Sequence, residues 1–140
     1  MKAIIILLSL VGLVCGQDRP ECRCAAFVTV QEGELDVLNF PPIDLNDCTE
    51  ETVCATACVK EWNQLTNGGD LHTLMPDDVS VGQHMCDRLA AVGHTNYNNR
   101  QVYLYYNLCN GPWIYDGETF VDNLCCTDGS YRDCPSLFTQ

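Results

Sequence analysis

Eleven cysteines lie in a chain of 140 residues, and no other feature constrains its fold as strongly. A cysteine share this high in a short chain reads as a covalent scaffold. An odd count leaves one thiol over, and the N terminus accounts for it. Residues 1–16, MKAIIILLSLVGLVCG, run from the cation Lys2 through an apolar stretch, Ile4 to Val14, to small residues at Val14 and Gly16. Charge, apolar run and small-residue cleavage site, in that order, mark a secretory signal peptide. As a helix the run crosses only about half of a bilayer core, so it reads as a leader and not an anchor. The expected mature chain is a single secreted, extracellular domain, residues 17–140. Cys15 leaves with the leader. Ten cysteines remain: Cys22, Cys24, Cys48, Cys54, Cys58, Cys86, Cys109, Cys125, Cys126 and Cys134. An even number in an exported chain predicts five disulfides.

Charge narrows the partners. Seven Lys+Arg against 19 Asp+Glu give a formal net charge of −12, which becomes −13 once Lys2 is removed. Phosphate contacts need a basic face, so no nucleic-acid partner is expected. No other apolar stretch is long enough to span a membrane. The acids are dispersed, with Glu50-Glu51 and Asp77-Asp78 the longest runs, and no EF-hand loop gathers them. That pattern reads as a solvated face that keeps an exported protein soluble. A mineral or a basic protein is the alternative partner for such acidity.

The patterning after the leader predicts an α+β fold: two helices packed on a short antiparallel sheet. AFVTV (26–30) and LDVLNF (35–40) flank Gln31-Glu32-Gly33-Glu34 and read as a hairpin that Pro41-Pro42 ends. A helix is expected from Glu50, capped by Asp47 or Thr49, with Cys54, Cys58, Trp62 and Leu65 on one face and Asn67-Gly68-Gly69 as its stop. A second follows Pro76-Asp77-Asp78, with Met85, Cys86, Leu89 and Val92 as its stripe. The last third reads as extended: QVYLYYNLC (101–109), a turn at Asn110-Gly111-Pro112, then WIY (113–115) and ETFV (118–121) as separate short strands.

Ten cysteines allow 945 pairings, so spacing alone does not assign them. Cys54 and Cys58 share a helical face and are expected to reach two different segments. Cys22 and Cys24 are expected to leave their extended run on opposite sides. The adjacent pair Cys125-Cys126 is expected to bond two separate partners. A metal reading has little support, since no C-x-x-C pair and no His-x-x-x-His is present and Cys54-x-x-x-Cys58 is only half a site. No metal and no cofactor are expected.

Catalytic signatures are missing. The chain has no G-x-S-x-G, H-E-x-x-H, P-loop or dinucleotide fingerprint. Its cysteine-bearing helix, CATACVKEW, lacks the His-Asp pair of secreted phospholipase A2, and the cysteine framework differs from that of invertebrate-type lysozyme. His72, His84 and His94 share no helical face at ligand spacing and read as surface or satisfied side chains. No enzyme activity and no catalytic residue are expected.

The aromatic residues carry the remaining signal. On an extended strand Tyr103 and Tyr105 face one way and Leu104 and Tyr106 the other, so one face is free to present rings. Tyr103, Tyr105, Trp113 and Tyr115 are the candidate carbohydrate-stacking residues. The stretch YYNLCNG…DGETF…C (105–125) resembles the invertebrate chitin-binding module in its aromatic pair, cysteine, glycine, Gly-x-x-Phe and cysteine. It departs where that module has a further cysteine, because Tyr115-Asp116 stands there, and the likeness covers about 20 residues. The resemblance implies a polysaccharide ligand. The expected function is that of a secreted, non-enzymatic, disulfide-stapled protein acting by surface contact, as an extracellular or mineralised-matrix component. A venom or defence protein acting on a receptor, or a small hydrolase, is the alternative. The five-bridge reading is checked by titrating thiols in the denatured, unreduced secreted protein: none is expected, and two or more per chain contradict it.

Overall fold

A computed structural model describes residues 19–135; the leader expected over residues 1–16 lies outside the described residues. The described residues form a small disulfide-rich α+β domain with two helices, two antiparallel sheets and five disulfides.

The first hairpin forms where alternation predicts it. Strand β1 (Glu21–Val30) pairs with β2 (Gly33–Asn39) through a two-residue turn, and Gly33 takes φ +131° at its end. A bulge between Ala26 and Phe27 adjusts the register. After Pro41-Pro42 the chain returns as β3 (Ile43–Asp44) to pair with the start of β1. The other edge of β1 pairs with β5 (Tyr103–Leu108), which in turn pairs with β6 (Ile114–Thr119). The order across the large sheet is therefore β2-β1-β5-β6.

Helix α1 (Glu51–Thr66) buries Cys54, Cys58, Trp62 and Thr66, with Leu65 packed at the margin of the core. Its start differs from expectation. Neither Asp47 nor Thr49 caps it. Asp47 is committed to its own turn, accepting from the Thr49 N–H at 2.8 Å. Glu50 occupies the cap position without a side-chain cap bond, and its Oε1 instead reaches back to accept from the N–H groups of Asn46 and Asp47. Asn67, at φ 52°, ends the helix in the left-handed conformation as expected.

Helix α2 (Val81–Ala91) starts three residues after Asp78, because Asp77 accepts from the Val79 N–H in a turn and Ser80 supplies the cap to Gln83 N. Met85, Cys86 and Leu89 are buried, but Val92 is exposed: the helix has already ended, and Val92 is its C-cap. The two short strands expected over 113–121 are one strand, β6, which passes through Gly117 at φ +91°. Phe120 then turns into the core.

A second sheet was not anticipated. It consists of β4 (Tyr97–Arg100), β7 (Leu124–Thr127) and β8 (Ser130–Arg132) in the order β4-β7-β8. Asp128-Gly129, both at positive φ, make the tight turn between β7 and β8.

The bridges are Cys22–Cys54, Cys24–Cys58, Cys48–Cys109, Cys86–Cys126 and Cys125–Cys134. Two expectations are corrected. Cys22 and Cys24 leave β1 on the same side, because residues two apart in a strand share a face. Cys54 and Cys58 therefore reach one segment, β1, and not two. Cys125 and Cys126 do go to separate partners, since neighbours on β7 point to opposite faces. In the chain-entropy model, C86A/C126A, which opens a 40-residue separation, destabilises by roughly 4 kcal/mol and C125A/C134A, with a separation of 9, by roughly 3 kcal/mol. Urea denaturation of the two double variants checks that order.

Candidate functional site

The two faces of the large sheet differ. Cys22, Cys24, Ala26, Val28, Leu104 and Tyr106 point inward and join the core with the helices. Tyr106 carries its hydroxyl to α1, donating to Glu51 Oε1 at 2.8 Å. Burial and then that bond push the phenol up to about 12. Among the described residues no helix packs over the rings on the outer face.

Five rings meet on that outer face. Phe27 of β1 lies edge-on to Tyr105 of β5, with centroids 4.9 Å apart, and edge-on to Trp113 at 5.0 Å. Tyr115 of β6 lies 5.8 Å from Tyr105 and 5.6 Å from Tyr103. All four sequence-predicted rings therefore come together, and Phe27 joins them. Phe27 was legible in principle: it falls on the odd positions of β1, opposite the cysteines. Trp113 is 36% exposed and Tyr115 46%, whereas Phe27 is 7% exposed beneath its neighbours. Edge-to-face contacts hold each ring at an angle to the next and leave ring faces open to solvent.

The face is electrostatically quiet. Arg23 is paired with Glu21 at 2.8 Å. Glu34 accepts from the Thr29 hydroxyl at 2.8 Å. Burial, then Glu34 and the neighbouring phenols, raise the Tyr105 hydroxyl, so it stays neutral at physiological pH. Beyond Tyr103 the face runs into a polar cleft of about 360 Å³ lined by Thr29, Asn99, Arg100 and Gln101. Around Thr29 and Arg100 this adjoins a second hollow of about 430 Å³ that includes Gln31, Asn96 and Asn98. Amides beside rings supply donors and acceptors suited to hydroxyl-rich ligands.

The rival sites are accounted for. Sulfurs of Cys22, Cys54 and Cys58 lie within 4.8 Å of one another, but each belongs to a disulfide and offers no thiolate. The histidines are dispersed, each against a carboxylate: His72 with Asp133, His84 with Asp77 and His94 with Glu32. Burial alone raises the Glu61 carboxyl. Burial and then Glu118 push Asp116 up to about 6. Neither carboxyl owes its shift to the other.

No protein family, curated protein sequence or solved structure matches the chain. Its function is therefore read from the geometry of this face.

Asp116, on the strand that carries Tyr115, gives a pH test. Its Oδ2 is buried without a partner, so the folded protein favours the neutral acid. At about pH 4 the folded state carries no charge there. As pH rises toward 7 it must hold one that the unfolded chain leaves in water, and stability is lost over that window. Asp116→Asn is expected to melt at a higher temperature than the parent near pH 7, with the difference vanishing near pH 4, by thermal denaturation at both values.

Proposed function

We propose that this protein is an exported, non-catalytic polysaccharide-binding component of an extracellular matrix. The observation that carries the reading is the row of Trp113, Phe27, Tyr105, Tyr115 and Tyr103 on the uncovered face of the sheet. A saccharide ring has a C–H face that stacks on an aromatic plane, and its rim hydroxyls need polar neighbours of the kind that line the adjoining cleft. Disulfides in this number are typical of proteins that work in an oxidising compartment, where such ligands occur. The acidic surface keeps the protein soluble and repels polyanions. A mineral partner would draw on the acidic groups and leave the rings without a part.

The reading is tested with insoluble neutral polysaccharides in a pull-down and with their soluble oligosaccharides by calorimetry. The wild-type protein is expected to bind at least one. Trp113→Ala and Tyr115→Ala are each expected to weaken that binding about tenfold, or ~1.4 kcal/mol. Wild-type protein left in the supernatant with every neutral polysaccharide rejects the reading.

A further inference from the structure

Asn107 is out of place on the aromatic face. It is 6% exposed, and its Oδ1 meets no hydrogen-bond donor. A buried amide oxygen left unmet is destabilising, and in a folded protein it calls for a reason. Alternation along β5 places Asn107 on the side of Tyr103 and Tyr105. Its neighbours follow from register. Across on β1 stands Arg23, whose Nε donates to Glu21 Oε1 at 2.8 Å, and no Arg23 nitrogen reaches Oδ1. On the other flank, continuing the pairing one step past Tyr106↔Ile114 brings Trp113 opposite. The indole leans away from this position onto Phe27 and is one-third exposed. An unmet acceptor therefore stands, by register, across from the position of the exposed Trp113.

The geometry points to Asn107 as the hydrogen-bonding anchor of the face: a hydroxyl of a stacked, uncharged saccharide donates to Oδ1 when the side chains over it give way to the sugar. The inference rests on the polysaccharide reading and names its polar contact. The net charge favours a neutral ligand. The amide oxygen accepts from an O–H group, and a carboxylate- or sulfate-bearing saccharide is disfavoured by a chain of net charge −12.

The experiment measures affinity for a neutral oligosaccharide and for its series of monodeoxy analogues, in wild type, Asn107→Leu, Asn107→Ala and Tyr115→Ala. Asn107→Leu removes the unmet oxygen and is expected to melt no lower than wild type. Either Asn107 variant is expected to bind at least tenfold more weakly. One deoxy position is expected to weaken wild type and Tyr115→Ala and leave Asn107→Ala unchanged, a signature that a purely structural amide does not produce. Asn107→Ala decides alone should the leucine not fold. Wild-type affinity in the Asn107 variants, or a deoxy pattern identical to wild type, overturns the assignment while the polysaccharide reading stands. A wild-type protein that binds no neutral saccharide overturns both.

Discussion

Two disulfides, Cys22–Cys54 and Cys24–Cys58, set the arrangement of everything else. Their spacing works because two periodicities agree. Two residues along a strand advance about 6.8 Å, and four residues along a helix about 6 Å. Cysteines at those offsets lie on one face of each element, so both bridges close with the helix running beside the strand in the same direction. The sulfurs pack together, with Cys22 Sγ 3.6 Å from Cys58 Sγ. This contact pins α1 to the inner face of β1, and β5 beside it receives the rest of the helix.

Pinning one face decides the fate of the other. Once α1 and α2 close the inner side over Val28, Met85, Leu89 and Leu104, a strand has one direction left for its alternate residues. Phe27, Tyr103, Tyr105 and Tyr115 are placed there together. Rings in solvent are ordinarily unfavourable, and here they shelter one another edge to face. A covalently braced sheet holds that surface in shape, which would lower the ordering entropy opposing the saccharide binding proposed for it. The remaining bridges do similar service at the periphery. Cys48–Cys109 ties the approach to α1 to the end of β5, and Cys86–Cys126 holds α2 against the second sheet.

Much of this was legible in the residues. Cys54, Cys58, Trp62 and Leu65 announce the inner face of α1. Asn67-Gly68-Gly69 stops that helix where it should. Tyr103 and Tyr105 separate from Leu104 and Tyr106 by alternation. The misreadings have local causes. Val92 continues a helical stripe on paper, but the chain has already left the helix. Asp47 looks like a cap until its side chain is drawn to Thr49. Asp128-Gly129 is a strong hairpin signal whose flanking strands are too short for alternation to reveal.

The sequence by itself determined the α+β class, the two helices, the disulfide count and four of the five rings on the outer face, because each rests on periodicity or composition within a short window. Only the tertiary structure decided which cysteines meet, that the rings of three strands form one row, and that Asn107, on their side of β5, lies buried with its oxygen unmet. Those facts depend on strand order and register, which join residues 27, 105 and 115 through contacts that no local pattern encodes.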